Sequence, residues 1–266
     1  MENIHQVAKE AWDRNDACAG DFYDRVRPPY HAEAIELAVE KIELKPGDRV
    51  IELGSGTGKF TCMINEIERY EWVVIEPGAS MRKVFGKNIP HVKCLPGSGY
   101  SIPIPDKWAD KIIVAQAFHW FADHDALREI NRVLKDNGRL CLLWMVPDTA
   151  AYQPPWQQSV FDLYRSYQGS TPGYDDLLWT RAFRDQKLFG ELQQYIFRYS
   201  RTCRDEDIWL GIASISYISY LDEDVKKDVK ERITAIVAAG NGMKRDELGR
   251  VWNLWRTDIY ISDKLT

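Results

Sequence analysis

A glycine-rich run between residues 49 and 61 has the residue types and spacing of a loop that binds a nucleotide-like cofactor. A short apolar stretch ends at Glu52 and Leu53, and glycines follow at positions 54, 56 and 58. Glycines at alternate positions let the backbone turn sharply and approach a ligand without interference from Cβ atoms. A helix beginning after the loop would direct its free N–H groups into the same space. We therefore expect a cofactor loop at the carboxyl end of a first parallel strand.

The spacing excludes two other glycine-rich loops. The dinucleotide-binding fingerprint requires a glycine at the position that Lys59 occupies. The Walker-type phosphate loop requires a glycine in place of Leu53 and a serine or threonine in place of Phe60. The remaining pattern, Glu-x-Gly-x-Gly-x-Gly, resembles the first motif of class I S-adenosylmethionine (SAM) methyltransferases.

Two further polar positions follow buried strands. Glu76 ends a second strand about 20 residues after the glycine loop, where a carboxylate can accept hydrogen bonds from both ribose hydroxyls. A strand-end acid that faces solvent is the alternative.

The run 97–103 follows a third strand, and the matching loop of class I methyltransferases contacts the adenine edge. Ser98 and Tyr100 stand where that family often has acids, and an ordinary turn is the alternative.

The most specific pattern is the run 114–121, which ends a fourth strand and reads Val-Ala-Gln-Ala-Phe-His-Trp-Phe. Together with Asp123 and the segment after it, this run closely resembles the methyltransferase type 11 group, which contains the trans-aconitate methyltransferases and related small-acid enzymes. The Tyr-x-x-x-Arg-Pro element at 23–28 and the Arg-Thr-x-x-Tyr element at 256–260 are similar to that group as well. The resemblance covers nearly the whole chain.

The resemblance implies a SAM-dependent methyltransferase that releases S-adenosylhomocysteine. It implies an α/β fold with a Rossmann-like, seven-stranded class I methyltransferase sheet, mostly parallel with a reversed last strand. No metal site is expected, because the histidines and cysteines show no ligand spacing. The residues expected to bind SAM are Tyr23, Arg27, Glu52, Gly54, Ser55, Gly56, Thr57, Gly58, Glu76, Pro77, Met81, Ser98, Gly99, Tyr100, Ala115, Gln116 and Ala117. The residues expected to contact the substrate are His119, Trp120, Tyr152, Trp156 and Trp179.

His119 is the candidate catalytic residue, because it follows a strand beside the cofactor site. It could act as a general base, which a hydroxyl, phenol or ammonium acceptor would need. Alternatively, it positions the methionine part of the cofactor or braces the wall formed by Phe118 and Trp120. A carboxylate acceptor is ionised at pH 7 and needs no base.

Methyl transfer from a sulfonium requires mainly that nucleophile, methyl and sulfur are aligned with water excluded. We expect methyl transfer to a small molecule by direct in-line displacement, with O-methylation of a carboxylate or hydroxyl preferred. N- or C-methylation remains an alternative. So does a SAM-binding scaffold that transfers no methyl group, as a cyclase-like or ligand-binding protein.

The elements that position these residues are strands and helices in alternation up to residue 146. Unbroken apolar strands of this kind predict a parallel sheet covered on both faces. Later segments predict a helix around Trp156, a strand over 192–203, helices over 205–220 and 223–239, and a last strand over 252–262. We expect one domain over 1–266, with an N-terminal helical cap at 1–45. Residues 147–190 and 204–222 are expected to be cap and substrate insertions.

Composition narrows the class of partner. The net charge of −5 argues against a nucleic-acid surface, which needs concentrated lysine and arginine. No apolar run is long enough for a membrane span, and the five scattered cysteines fit a reduced cytoplasmic setting. The aromatic and proline-rich stretch 152–183 favours an apolar or ring-bearing small-molecule substrate. The oligomeric state is left open.

Overall fold

A seven-stranded sheet forms the centre of the protein, whose computed structural model describes residues 19–148 and 154–265. The strands are β1 (Arg49–Leu53), β2 (Glu71–Ile75), β3 (Lys93–Leu95), β4 (Ala109–Ala115), β5 (Leu134–Pro147), β6 (Gln193–Cys203) and β7 (Val251–Asp263). Their order is β3-β2-β1-β4-β5-β7-β6. Only β7 runs against its neighbours, β5 and β6, which confirms the predicted sheet with its reversed last strand.

Eight α-helices lie within the described ranges. They are α1 (Ala19–Val26), α2 (Ala32–Lys41), α3 (Ala79–Asn88), α4 (His124–Val133), α5 (Pro155–Arg165), α6 (Asp205–Ala213), α7 (Ser216–Ser219) and α8 (Glu223–Ala239). None of the helices in the described ranges is long and apolar enough to cross a membrane.

The central strands are buried on both faces because helices cover each side. On one face, α4 contributes Leu127 and Ile130 to an apolar cluster with β1, β4 and β5. On the other face, α2 contributes Ile35 and Ala38. Only part of the segment 1–45 can therefore belong to a cap. The helix α2 covers the sheet, whereas α1 lies at the edge of the cavity described below. Residues 1–18 lie outside the described ranges.

The sequence predicts a helix that Asp123 caps and that Asn137-Gly138 closes; its start is confirmed, and its end is wrong. Asp123 caps the helix, with its Oδ1 accepting from the Ala126 N–H at 2.9 Å. The helix ends at Val133 because Leu134 already pairs with Ala109 of β4. Asn137 and Gly138 instead fall where the β4–β5 register shifts.

The predicted helix after the glycine loop is replaced by two single 3-10 turns, Thr61–Met63 and Ile67–Arg69. Only residues 59–70 connect the loop to β2, and Glu66 interrupts them with a left-handed backbone at φ 51°. A 3-10 turn rises about 2.0 Å per residue against about 1.5 Å for an α-helix. The left-handed backbone at Glu66 lies between the two turns and breaks the run that one continuous helix would need.

A separate apolar cluster joins α5, α6, α7 and α8. Its members include Trp156 and Tyr164 from α5, Ile218 from α7 and Ile233 from α8. The helix predicted over 205–220 is divided into α6 and α7, because Ile215 takes an extended backbone. This helical cluster supplies one wall of the cavity into which the ends of the strands open.

Candidate active site

A cavity of about 820 Å³ lies at the carboxyl ends of β1, β2, β4 and β5. Its walls bring together most of the residues singled out from the sequence. Those that line it are Tyr23, Arg27, Glu52, Gly54, Ser55, Gly56, Thr57, Glu76, Pro77, Met81, Ser98, Gly99, Tyr100, Ala115, Gln116, Ala117, His119, Trp120 and Trp156.

Three of the singled-out residues do not line the cavity as described. A Cβ on Gly58 would meet Ile89 at 2.7 Å and Phe85 at 2.9 Å, so this glycine allows close packing behind the loop. Trp179 is buried in the core, with its ring 4.6 Å from that of Trp144, and it is not a cavity residue. Tyr152 lies outside the described residues.

The glycine loop holds the carboxylate of Glu76 in place. The Gly56 N–H donates to Oε2 of Glu76 at 2.8 Å, and the Gly78 N–H donates to Oε1 at 2.7 Å. Gly54 and Gly56 adopt φ angles of 74° and 57°, which favour glycine. A Cβ on Gly54 would lie 2.7 Å from Cβ of Ala117, so β1 and β4 approach closely at this point.

Glu52 lies fully buried beneath the same loop. Its Oε2 accepts a hydrogen bond from the Thr61 hydroxyl, and burial raises the pKa of its carboxyl to about 8. The nearby charge of Glu76 acts in the same direction. Glu52 is therefore mainly protonated at neutral pH, and it supports the loop from below without adding a second full negative charge.

A tight turn and an aromatic ring form the wall near β3. Ser98 and Ser101 exchange two backbone hydrogen bonds of 3.0 and 3.2 Å. A Cβ on Gly99 would lie only 2.3 Å from the ring of Phe121, so only glycine lets the turn meet that ring. The Tyr100 hydroxyl donates to Oδ2 of Asp123 at 2.9 Å, which ties the turn to the start of α4.

Gln116 occupies a strained position at the end of β4. Its φ of 59° is unusual for a residue with a side chain, and such strain tends to collect at functional sites. Two hydrogen bonds hold it there: its backbone N–H donates to Leu143 O at 2.8 Å, and its amide donates to Met145 O at 2.7 Å. The strand end is thereby fixed toward the cavity.

The helix α1 closes the cavity over the glycine loop. Oδ1 of Asp24 accepts from the Thr57 hydroxyl at 2.7 Å and lies 3.5 Å from Nζ of Lys59. Arg27, just beyond the helix, donates to the backbone oxygen of Ser214 at 3.2 Å. The chain before β1 is thus tied both to the loop and to the helical cluster.

Four residues that line the cavity have a buried polar side-chain atom with no hydrogen-bond partner within the described ranges. The atoms are Nε of Arg27, Oε1 of Glu52, Oγ of Ser55 and Nε1 of Trp156. A buried polar group without a partner costs free energy, so a polar ligand group at these atoms would stabilise the site. The sequence assigns Arg27, Glu52 and Ser55 to cofactor binding and Trp156 to substrate contact.

His119 accepts a hydrogen bond at one ring nitrogen, which fixes the ring proton on the other. The indole N–H of Trp144 donates to Nδ1 of His119 at 3.1 Å. Because an indole can only donate, Nδ1 must be unprotonated and Nε2 must carry the ring proton. Burial lowers the pKa of His119 to about 3, so the ring is neutral at physiological pH. His119 therefore presents an N–H donor and not a basic nitrogen.

A second part of the cavity wall was not predicted from the sequence. Arg165, Gln168, Asp175 and Tyr217 line it beside Tyr164. Arg165 pairs with Asp175 at 3.1 Å, and its guanidinium lies 5.5 Å from the Phe161 ring centroid. The helical spacing of Phe161 and Tyr164 with Trp156 could have pointed to part of this wall. Nothing in the local sequence links Tyr217 to it.

No three His, Cys, Asp or Glu side chains in residues 19–148 and 154–265 converge to hold a metal ion. The site is thus built from a glycine loop, strand-end acids, aromatic rings and neutral donors at the carboxyl edge of a mostly parallel sheet. That combination defines a class I methyltransferase fold with a nucleoside-type binding site.

Comparisons with known proteins identify the family. Residues 51–142 match the model described as Methyltransf_11, a methyltransferase domain. An uncharacterized methyltransferase-like protein of Schizosaccharomyces pombe is 32% identical over 214 residues, which are 80% of this chain and 82% of the relative. An uncharacterized methyltransferase of Mycobacterium tuberculosis is 37% identical over 127 residues, 47% of this chain and 50% of that protein. The chain belongs to this methyltransferase family and is a SAM-dependent methyltransferase.

Solved structures share the fold at low sequence identity. A provisionally assigned type II methyltransferase of Anaeromyxobacter dehalogenans has a TM-score of 0.63 and 19% identity, covering 89% of this chain and 97% of its own. The YcgJ protein of Bacillus subtilis has a TM-score of 0.54 and 19% identity, covering 89% and 100%. These matches support the fold. The closer likeness to trans-aconitate methyltransferases stays a prediction.

Proposed function

We propose that this enzyme methylates a carboxylate oxygen of a small, ring-bearing organic acid and so forms a methyl ester. The observation that carries the proposal is the Trp144–His119 hydrogen bond, which leaves the proton on Nε2 of a neutral imidazole whose residue lines the cavity. A carboxylate needs no base, because it is already ionised at pH 7. It does need donors that orient it, and the N–H of His119 can donate to the carboxylate oxygen that is not methylated.

The residues of the cavity fit SAM, which supplies a methyl group on a positively charged sulfur. Glu76 accepts the ribose hydroxyls, while its two backbone bonds keep it in position. The turn at Ser98–Tyr100 and the Phe121 ring contact the adenine. The buried Nε of Arg27 and Oγ of Ser55 gain partners from the methionine part. The same protonated Glu52 keeps the loop above it in shape.

The chain positions the acceptor and excludes water. His119 would orient the acceptor carboxylate toward the methyl group, and Gln116, fixed by two hydrogen bonds, would keep the end of β4 in place beside it. The helix α1 and the helical cluster both line the cavity and would limit the access of water to the reacting groups. We assign the cap to α1 together with residues 154–190 and 204–222, within one domain.

Aromatic side chains account for the expected ring on the acceptor. Trp120, Trp156, Phe161, Tyr164 and Tyr217 all border the cavity. Aromatic faces and edges bind a flat ring with defined geometry. Arg165 is already paired with two carboxylates, so it has no free guanidinium for a second carboxylate of the acceptor.

The test is methyl transfer from methyl-labelled SAM to a panel of aromatic carboxylic acids. The expected product releases labelled methanol on mild alkaline treatment, as methyl esters do, and equimolar S-adenosylhomocysteine forms. A label that resists alkali would show O-ether, N- or C-methylation and overturn the ester. SAM binding without any S-adenosylhomocysteine across the panel would favour a scaffold that transfers no methyl group.

A further inference from the structure

The Arg-Thr-x-x-Tyr element at 256–260 lies outside the cavity wall and belongs to a buried network of charges. Nε of Arg256 donates to Oδ2 of Asp258 at 2.9 Å, and its Nη1 donates to Oδ1 of Asp148 at 3.4 Å. The side chains of Asp258 and Asp148 are 0% and 3% exposed. Oδ1 of Asp258 has no hydrogen-bond partner within the described ranges. Since the desolvation of buried ion pairs offsets their attraction, the geometry that this network fixes explains it better than stability does.

The network ends on the hydroxyl of Tyr174. That hydroxyl donates to Oδ2 of Asp258, so the Tyr260 hydroxyl, which lies 2.8 Å away, must be the donor to Tyr174. Tyr260 in turn accepts from the side-chain amide of Gln194 at 2.8 Å. The backbone oxygen of Tyr174 accepts from the indole N–H of Trp179 at 3.2 Å. Tyr174 is therefore held both at its hydroxyl and at its backbone.

The ring of Tyr174 stacks on Trp144, which is the donor to His119. The two ring centroids lie 4.8 Å apart, and the ring planes are inclined by 29°. Asp258 is also the cross-strand partner of Trp144 in the ladder between β5 and β7. The Trp144–His119 bond of 3.1 Å is near the upper end of the usual range, so a small rotation of the indole would break it. Whatever fixes the plane of the indole therefore also maintains this bond.

We propose that Tyr174 is a positioning residue, which acts through Trp144 on the tautomer of His119. Asp258 and Arg256 hold the Tyr174 hydroxyl and so keep its ring against the indole. The element 256–260 thereby keeps the ring proton of His119 on Nε2. The inference rests on the proposed function only for its effect on the rate, because the tautomer of His119 can be observed without any acceptor.

The experiment records the nitrogen NMR shifts of the histidine rings at neutral pH, since these shifts distinguish a protonated from an unprotonated ring nitrogen. His119→Leu identifies the signals of His119. In the wild type, Nε2 should carry the proton and Nδ1 should not. Tyr174→Phe keeps the ring and removes the hydroxyl. The ratio of the two tautomers should then shift about fivefold toward the form protonated on Nδ1, as the loss of one hydrogen bond would produce.

Tyr260→Phe is the matched control. It removes a hydroxyl from the same buried group but leaves the bond between Tyr174 and Asp258 in place, so the tautomer ratio should equal that of the wild type. Asp258→Leu removes the acceptor and should shift the ratio as Tyr174→Phe does. Asp258→Asn should restore the wild-type ratio, because its amide oxygen can still accept from Tyr174. If Asp258→Leu does not fold, the comparison of Tyr174→Phe with Tyr260→Phe decides the question.

Kinetics test whether the tautomer matters for methyl transfer. Tyr174→Phe should lower kcat/KM for an aromatic acid about fivefold. The double variant with His119→Leu should be no slower than His119→Leu alone, because both changes remove the same donor. A direct contact of Tyr174 with the acceptor, or a general loss of structure, would give additive losses and overturn the positioning role.

The outcomes separate this inference from the proposed function. A tautomer ratio that stays at the wild-type value in Tyr174→Phe, or that shifts equally in Tyr260→Phe, would overturn the role of Tyr174. Methyl ester formation together with such a result would leave the proposed function standing. A shift found in Tyr174→Phe and absent in Tyr260→Phe, with no ester formed from any aromatic acid, would support the role of Tyr174 and reject ester formation.

Discussion

Trp144 donates its indole N–H to Nδ1 of His119 over 3.1 Å, and this bond decides which ring nitrogen carries the proton. Trp144 is fully buried. The centroid of its ring lies 4.8 Å from the ring centroid of Tyr174 and 4.6 Å from that of Trp179. The donor is therefore held by the aromatic core and cannot turn away. Core packing thus sets the protonation state of a residue at the cavity.

The first prediction concerns the role of His119. Its pKa of about 3 lies below the ordinary value of 6.5, so the pH–rate profile should show no ionisation of His119 between about pH 5 and 8. His119→Leu, which removes the donor, should lower kcat/KM for the acceptor about tenfold without changing the shape of that profile. The exposed His91 supplies the control variant, His91→Leu. An inflection near neutral pH that disappears in His119→Leu would instead establish a general base.

The lowered pKa of His119 also has a consequence for stability. The unfolded chain binds the proton more readily than the folded one, so the contribution of His119 is complete above about pH 6.5. It is lost progressively as the pH falls from there toward about 3. His119→Leu should therefore flatten the acid side of the pH–stability curve measured by urea unfolding.

The second prediction concerns Glu76. Glu76→Ala should weaken SAM binding by about 1–3 kcal/mol, because a charged acceptor of ribose hydroxyls is removed. The control is Glu71→Ala at the exposed start of β2, where the carboxylate pairs with Arg49 at 2.8 Å on the surface. Calorimetric titration with SAM measures both. Unchanged SAM affinity in Glu76→Ala would remove the ribose assignment.

Much of the sheet is predictable from the sequence because its strands are short apolar runs bounded by turn residues. The runs at 49–53 and 71–75 can only be buried strands between helical segments, and the glycine spacing fixes a loop between them. The helix expected after that loop is absent because the backbone turns left-handed at Glu66, which the apolar pattern of Ile64 and Ile67 cannot reveal.

The cofactor side of the cavity follows from local motifs, whereas the acceptor side does not. Glu76 and the run 114–121 carry their signal within a few residues. Tyr217 and Asp175 both line the cavity although they come from separate segments of the chain, and no local spacing encodes that. The aromatic-rich stretch 152–183 does not show which of its rings face the cavity. Trp156 lines the cavity, whereas Trp179 is buried in the core.

The third prediction concerns Glu52. Its folded pKa of about 8 exceeds the ordinary 4.5, so both states hold the proton at low pH. As the pH rises from about 4.5 to about 8, the unfolded chain loses this proton first, and the free energy of unfolding falls. Glu52→Gln keeps the shape and removes the ionisation. The free energy of unfolding of Glu52→Gln minus that of the wild type should rise by on the order of a few kcal/mol between about pH 4.5 and about pH 8. Above about pH 8 this difference should stay constant.

Urea unfolding at a series of pH values measures the effect of Glu52→Gln. Glu36→Gln on the exposed face of α2 is the control and should give a flat difference across the range. A difference that also stays flat for Glu52→Gln would mean that the buried carboxyl ionises normally. The support that a protonated Glu52 gives to the glycine loop would then be rejected.

The last prediction separates backbone strain from close packing at the glycine loop. Gly47 and Gly54 both have left-handed backbones, at φ 88° and 74°. A Cβ on Gly47 meets nothing within 4 Å, whereas one on Gly54 would lie 2.7 Å from Cβ of Ala117. Gly47→Ala should therefore lower the free energy of unfolding by only about 1–2 kcal/mol, the cost of the backbone conformation, and leave SAM binding unchanged.

Gly54→Ala has the same cost in backbone conformation as Gly47→Ala. In addition, its Cβ would clash with Cβ of Ala117 unless the backbone moves. Ala117 belongs to the segment that ends β4, and Gln116 beside it is held by two hydrogen bonds, so β4 cannot yield without moving the cavity wall. The variant should lose more stability than Gly47→Ala and should bind SAM at least about tenfold more weakly. Equal stability loss in the two variants, with SAM affinity intact in both, would show that the close approach of β1 and β4 has no part in shaping the cofactor site.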